Sequence, residues 1–432
     1  MLKKVVVTGL FGTFDHTIEF KENPKVTLLL GRNGLGKTVL LKMLFSVFSK
    51  DFSYLRKVKF DTFKLYFDSG EILGFTKNGK KKNDIALIFS RPNSKPLSVT
   101  FNKLGVKKEE LNSKMNSIHD EIYKLYFYTK ILESKTVDTK DDIEDLLHSD
   151  RDKITVPAWL QEVVDIYDAH LVDTNRMLMP IREKNKDKNT FSYKKAVLSY
   201  SDEIVLTFQK VLSESSRISA NLDRSFPNKV MDLLCNSSSE RRSIITLKDK
   251  LFELSNRHEL LMSTGLLKSD DTNLPFNGNV LTNDSIAILN IYIEDNLQKL
   301  DPYMGLANKL KIFMDLLNSR FLYKKIEFNQ EKGFVVTSTK TSDNIELTEL
   351  SSGEQHLFIL FYELLFKYNS KTLLMIDEPE ISLHVSWQKH FIDDLMRVVE
   401  VNPMTILMAT HSPTLIGPYW TMVNELHCDE DF

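Results

Sequence analysis

Apolar positions in the first hundred residues alternate or cluster in short runs, and Gly, Asp and Pro separate the runs. "KKVVVTGL", "HTIEF" and "KVTLLL" therefore predict strands, because a period of two suits a half-buried pleated segment. A helix is expected after Lys37, followed by strands in "KVKFDTFKLYF", "EILGFTK" and "DIALIFS". Between the last two, "KNGKKKND" predicts a basic hairpin tip. From about residue 105 glycine nearly disappears, and charged, helix-favouring residues dominate for roughly two hundred residues. Leu111, Met115, Ile118, Ile122 and Leu125 step four-three-four, the seam of a short coiled coil or helical hairpin. One apolar island, "DAHLVDTNRML", predicts a buried strand, and "REKNKDKNTFS" after it a polar loop. Helices then resume to about Leu322, most clearly in "YKKAVLSYSDEIVLTFQKVLSES" and "SIAILNIYIEDNLQKL".

The last hundred residues return to the earlier pattern. Strands in "KKIEFN", "GFVVTST" and "NIELTEL" precede a helix that starts near Ser352. "KTLLMIDEPEISLH" is a buried strand running into acidic residues, and "MTILMATHSP" is another apolar strand. The two ends read as halves of one α/β domain with helices inserted between them. The expected divisions are 1–104, a helical insertion over 105–168, a returning strand over 169–179, a second helical region over 180–321, and 322–432.

Composition narrows the function classes. The chain has 432 residues, 42% hydrophobic and 27% charged, which suits a globular protein with sizeable cores. A net charge of -2 gives no global argument for nucleic acid. A local argument remains in Lys77, Lys80, Lys81 and Lys82, which read either as a backbone-binding tip or as a solvated turn. Cys235 and Cys428 form no metal or redox motif and are expected to be reduced thiols. No apolar run is long enough to span a bilayer, and "MLKKVVVTGLFG" reads as a strand rather than a signal peptide. A cytoplasmic location without a membrane partner is the expectation.

Four stretches carry candidate chemistry. Gly31, Arg32, Asn33, Gly34, Leu35, Gly36, Lys37 and Thr38 fit G-x-x-x-x-G-K-[ST] between a strand and a helix. Such glycines let backbone N–H groups wrap phosphates at a helix N-terminus. Lys37 would meet the β- and γ-phosphates of ATP, and Thr38 would offer a hydroxyl to magnesium. In "LLMIDEPE", Asp377 ends a strand where it can reach the magnesium shell, and Glu378 is the group to polarise an attacking water. "LSSGEQ", with Ser351, Ser352, Gly353, Glu354 and Gln355, opens a helix. It is either a plain capped start or a second anion site that covers a γ-phosphate held by another copy of the chain. His411 in "ILMATHSP" ends the following strand, either as a structural histidine or as a group that meets the γ-phosphate.

In this order the four stretches resemble Walker A, signature, Walker B and switch histidine of ABC-type ATPases, with a D-loop-like "EISLH" from Glu380 to His384. "LSSGE" and the inserted helices resemble the SMC, Rad50, RecF and OLD branch. "GLFGTFDHTIEF", "VDTNRML", "IDEPEISLHVSWQKHFIDDL" and "ATHSPTLI" are similar to bacterial ATPases of the AAA15 or AAA21 groups, among them the AriA-like ATPase subunits of PARIS anti-phage systems. Two residues depart from the pattern, Arg32 where proline is common and Leu35 where serine is common. No glutamine falls where the Q-loop is expected.

The resemblance implies an α/β ABC-type ATPase head, of mixed and parallel sheet with helices, carrying a large helical insertion. It implies ATP and Mg2+ as cofactors, with Thr38 and Asp377 on the metal, Glu378 and His411 in hydrolysis, and Ser351 to Gln355 acting on the partner's nucleotide. It further implies self-association as a head-to-head dimer or higher homo-oligomer, and control of a separate effector, a Toprim/DUF4435 or other nuclease, with a phage protein as trigger. Beyond His411 the sequence runs only to Phe432, so no nuclease activity of its own is expected. The competing expectation is a RecF- or Rad50-like DNA-repair clamp that responds to DNA. Arg176 in "DTNRML" resembles an arginine recurrent in these ATPases and is equally readable as one member of a structural ion pair.

Overall fold

The computed structural model describes residues 1–77, 85–92, 94–100, 158–172, 178–185, 188–235, 244–268 and 283–427. The seam from Leu111 to Leu125, Lys80 to Lys82, Arg176 and Cys428 lie outside the described residues.

In chain order, β1 (Leu2–Leu10), β2 (Phe14–Glu19) and β3 (Val26–Leu30) lead into α1 (Lys37–Phe48) and α2 (Ser53–Lys57). Strands β4 (Thr62–Phe67), β5 (Ile72–Lys77), β6 (Ile85–Ser90) and β7 (Leu97–Thr100) follow. Then come α3 (Ala158–Val164), β8 (Asp168–Val172), β9 (Leu178–Asn185) and β10 (Lys188–Lys195). Three long helices succeed them, α4 (Ala196–Cys235), α5 (Ile244–Ser263) and α6 (Asn283–Asn318). The chain continues through β11 (Lys324–Asn329), β12 (Gly333–Ser338), β13 (Asn344–Ile345) and α7 (Ser352–Tyr362). It closes with β14 (Thr372–Asp377), α8 (Phe391–Val401), β15 (Thr405–Thr410) and β16 (Val423–Glu425).

Contacts divide the chain into two compact units, Met1–Lys194 with Tyr368–Phe432, and Lys195–Lys367. The first holds a six-stranded sheet in the order β2-β1-β4-β5-β6-β7 and a five-stranded sheet in the order β16-β3-β15-β14-β8. Every described pairing in the six-stranded sheet is antiparallel, and every pairing in the five-stranded sheet is parallel. The burial of β4 alternates, as expected of a strand with one covered face, whereas all six residues of β15 are buried. One core joins the two sheets through α1. Leu40, Leu41, Met43, Leu44 and Val47 of that helix cluster with Val5 and Val7 of β1, Phe63 and Leu65 of β4, and Leu373 and Leu407 of the parallel sheet. The apolar island read from the sequence enters the parallel sheet as β8, in register with β14 from Asp168↔Thr372 to Val172↔Ile376.

The stretch expected as a polar loop is instead two paired strands, β9 and β10. Its sequence has no apolar alternation, and a ladder held by backbone groups is invisible to hydrophobic periodicity.

The second unit packs α4 and α5 against α6, beside the three-stranded antiparallel sheet β11-β12-β13 and α7. Buried residues recur every seven positions, at Leu247, Leu254 and Leu261 of α5 and at Ile286, Ile293, Leu300 and Ala307 of α6. Ion pairs fix the register: Lys229 to Asp295 at 2.6 Å and Lys299 to Asp223 at 2.7 Å link α4 and α6, and Lys250 to Glu294 at 2.6 Å links α5 and α6. Mostly half-exposed pairs of this kind add little net stability, so the apolar seams hold the helices and the charges select their alignment. By contacts, β11–β13 and α7 belong with these helices rather than with the terminal strands. Among the described residues no helix is long and apolar enough to cross a membrane.

An aromatic cluster anchors α7. The Phe358 ring lies 5.1 Å from Phe313 and 5.3 Å from Phe334, both edge to face, with Tyr362 one turn away. Phe358→Ala should therefore cost about 3–5 kcal/mol, read as a shift in the denaturant midpoint at unchanged slope.

Candidate functional site

The parallel register brings three chemically loaded strand ends to one edge. Leu30 pairs with Thr410, and Asp377 pairs with Ala409. Gly31, Glu378 and His411 therefore all leave the sheet at its C-terminal edge, on neighbouring strands about 4.8 Å apart. Ligands of open α/β sheets bind in the crevice outside that edge. A polar cavity of about 540 Å³ lined by Lys50, Asp165, Asp168 and Lys371 lies instead by the starts of β8 and β14, and Lys50 is already paired with Asp165 at 2.6 Å.

The loop between β3 and α1 is held in a left-handed path by Gly34 at φ 93° and Gly36 at φ 86°. A Cβ on Gly36 would lie 2.7 Å from the Leu10 Cδ2, so conformation and packing both require glycine there. At Gly34 nothing lies within 4 Å of a would-be Cβ, so the cradle is open on that side. Gly36 caps α1 without a side-chain hydrogen bond, which leaves the first-turn N–H groups for an anion. The Lys37 side chain is only 5% exposed overall, and its ammonium donates to the carbonyls of Gly31 at 2.6 Å and Arg32 at 3.1 Å. Its positive charge therefore sits within the loop. Arg32, Asn33 and Gly34 are exposed, Gly36 and Thr38 half-buried, and Leu35 is buried.

One residue beneath this loop is missed by the sequence reading. His16 of β2 is 3% exposed, stacks on Phe14, and lies with Nε2 2.9 Å from the Leu35 carbonyl. A carbonyl only accepts, so Nε2 carries the hydrogen and fixes the tautomer. Burial lowers the His16 pKa, opposed by the Leu35 hydrogen bond and the nearby Asp15 charge. The available signal was its place two residues before buried Ile18, in the inward register of a strand.

At the end of β14, Asp377 is half-buried and Glu378 adopts a left-handed backbone at φ 45°, ψ 57°. A left-handed non-glycine residue costs of order 1–3 kcal/mol, and such strain gathers at functional sites. The Glu378 N–H donates to the Ala409 carbonyl at 2.9 Å, which ties the turn to β15. Its carboxylate lies 3.7 Å from the His411 Nδ1. Glu380 is a second residue whose role the sequence reading did not single out. It is buried, and its Oε1 accepts from the Thr410 hydroxyl at 2.7 Å and the His411 N–H at 2.9 Å. Gln388 pins the same turn by donating to the Glu380 carbonyl at 3.1 Å and the Leu383 carbonyl at 3.2 Å.

Magnesium and phosphate can be tested against these donors. The Thr38 hydroxyl and the Asp377 carboxylate are oxygens of the kind a hard cation takes. Among the described residues no group of three or more His, Cys, Asp or Glu could hold a metal by itself. A hydroxyl and a carboxylate oxygen are the share a protein gives a magnesium ion that also takes phosphate oxygens and water, so the residues fit the group by the chemistry of their donors.

In the second unit the signature residues split into two roles. Ser351 caps α7 by accepting from the Glu354 N–H at 3.3 Å, and Glu354 reciprocates by accepting from the Ser351 N–H at 2.8 Å. Burial raises the Glu354 pKa, but hydrogen bonds from Lys324 and Ser351 outweigh it and hold the carboxyl below its ordinary value. Gln355 is buried and donates to the Leu350 carbonyl at 2.6 Å. Ser351 and Ser352 stay exposed and Gly353 half-buried. Capping box and outward face thus coexist in one motif. Of the basic tip, the Lys77 ammonium is turned inward, donating to the carbonyls of Arg56 at 2.9 Å and Val58.

The chain belongs to the AAA ATPase domain family (AAA_15), whose model matches residues 1–416. No curated protein matches it. Among solved structures it is similar to the SMC head domain of Pyrococcus furiosus bound to the C-terminal domain of ScpA, at 12% identity and a TM-score of 0.33, covering 96% of this chain and 90% of that one. The SMC head domain from Thermotoga maritima is similar at 11% identity and a TM-score of 0.35, with the same coverage.

His16 gives the loop a pH dependence whose sign is fixed. A histidine with a lowered folded pKa binds fewer protons folded than unfolded, so its contribution is full above the ordinary value of 6.5 and is lost as pH falls towards the folded value. The thermal midpoint should therefore fall through that window, and His16→Gln should remove that part of the slope. His16→Leu, which leaves the Leu35 carbonyl without a donor, should cost about 1–3 kcal/mol at pH 8.

Proposed function

We propose that this protein is an ATP-hydrolysing switch that works in pairs. The observation that carries the proposal is the convergence of Gly31 to Thr38, Asp377, Glu378 and His411 at one edge of the parallel sheet. The loop N–H groups and Lys37 bind the phosphates, and the α1 N-terminus favours their charge. Magnesium, held by Thr38 and Asp377, would neutralise charge on the β- and γ-phosphates. Glu378 accepts a proton from the attacking water, and His411 orients the γ-phosphate. Ser351, Ser352 and Gly353 of a second copy complete the site, because their outward face at a helix start is suited to phosphate oxygens. Two such sites per pair make assembly depend on ATP and release depend on hydrolysis.

The resemblance to the AriA-like subunits of PARIS systems supports a setting in anti-phage defence. There the closed assembly, a dimer or a higher homo-oligomer, would hold a separate effector nuclease until a phage protein triggers its release. The DNA-clamp reading is not adopted, since the one described lysine of the basic tip spends its ammonium on backbone carbonyls. If addition of duplex or broken DNA raised ATP turnover several-fold, that choice would be reversed.

Glu378→Gln should keep ATP and remain assembled, with turnover lowered about 10²–10⁴-fold. Lys37→Ala should weaken ATP binding by about 2–3 kcal/mol, roughly 30- to 150-fold, and fail to assemble. Mass measurement with and without ATP reads both. A Glu378→Gln protein that stays monomeric at saturating ATP would refute the paired mechanism.

A further inference from the structure

Glu380 is a buried carboxylate that the mechanism above does not use. Its side chain is 5% exposed, a costly place for a negative charge unless donors surround it. All its described donors come from the end of β15. The Thr410 hydroxyl lies 2.7 Å and the His411 N–H 2.9 Å from Oε1, and the His411 Nδ1 lies 3.1 Å from the same oxygen. Its other oxygen, Oε2, is enclosed and has no hydrogen-bond partner among the described residues. The carboxylate therefore spends one oxygen on the residue pair that ends the strand. The His411 side chain is 43% exposed, so its inner edge is held while the ring remains accessible.

We infer that Glu380 is a positioning residue for His411. It accepts the Nδ1–H and so holds the ring with Nε2 outward, where the imidazolium form donates its second N–H to a γ-phosphate oxygen. This rests on the ATPase reading of the site, and on His411 meeting the nucleotide. Three features support it. Glu380 is nearer to Nδ1 than Glu378, at 3.1 Å against 3.7 Å, so the histidine is held from the buried side while Glu378 stays available to water. Ser412 N–H donates to the Thr410 Oγ1 at 3.0 Å, so the same hydroxyl that binds Glu380 also fixes the chain beyond His411. Gln388 braces the Glu380 turn through its backbone carbonyl, so the carboxylate is held from behind.

The test is a double-mutant cycle on the full chain. Glu380→Ala should lower kcat for ATP about 10–100-fold, the scale seen when a supporting partner of a reacting group is lost, with KM changed less than about threefold. Glu380→Gln, whose amide oxygen can still accept, should recover part of the loss. In a His411→Ala background neither substitution should lower kcat further, because the residue acts through the imidazole. Equal losses in both backgrounds, or a rise in KM matching the fall in kcat, would overturn the assignment. A second readout needs no turnover. In ¹⁵N-histidine spectra at pH 8.5, the signal lost in His411→Ala should show a protonated Nδ1 in the parent. In Glu380→Ala it should move to the Nε2–H form. An unchanged tautomer would overturn the proposal whatever the activity. Absence of any Lys37-dependent turnover in the parent would sink the ATPase reading instead, and the spectra would still decide the contact. Should Glu380→Ala fail to fold, Glu380→Leu, which fills the site without an accepting oxygen, carries both readouts.

Discussion

The parallel register of β3, β15 and β14 is the constraint on which the site depends. Thr410 faces Leu30 and Ala409 faces Asp377, and from those pairings the glycine loop, His411 and the acidic pair emerge side by side. A slip of one residue in β15 would turn every side chain of that strand to the other face and carry His411 away from Glu378. Burial of all six residues of β15, with apolar neighbours on both sides, makes such a slip expensive. Chemistry at the edge is therefore specified by the core beneath it.

The polar groups below that edge follow one rule. Several buried ionisable or polar side chains satisfy backbone groups of the loops. His16 serves the Leu35 carbonyl, Lys37 the carbonyls of Gly31 and Arg32, and Glu380 the N–H of His411; in the second unit, Gln355 serves the carbonyl of Leu350 in the same way. Loops that leave a sheet to meet a ligand break the ladder that pairs backbone groups, so side chains must replace it. The same substitutions hold the loops still, and electrostatic catalysis depends on donors that are placed before the reaction starts.

Much of this is legible in the sequence, for physical reasons that differ by element. The alternating runs that became β1, β2, β4, β5 and β6 are visible because half-buried strands have a period of two, and β3 is visible as a short unbroken apolar run. The glycine loop is visible because its conformation admits few residues. The heptad seams of α5 and α6 are not singled out, since α6 is packed by α4 and α5 at once and its apolar positions spread around the helix. β9 and β10 escape because backbone pairing leaves no apolar pattern. Glu380 and His16 escape for a deeper reason. Their roles are fixed by partners about thirty and twenty residues away in sequence, at Thr410, His411 and Leu35, and no local spacing encodes that.

The grouping of α7 with the long helices bears on how a switch could be built. The signature start is welded to its own unit by Lys324, which donates to both Glu354 oxygens at 2.9 and 2.7 Å, and by the ring cluster around Phe358. Its N-terminus is thus rigid with respect to β11 and the α4–α6 bundle, while α7 runs on through a π-helical turn, Glu363–Lys367, to the division between the units. Such turns carry weaker, wider hydrogen bonding and recur at functional sites. Ser351 to Gly353 are therefore carried by the same compact unit as the helix bundle.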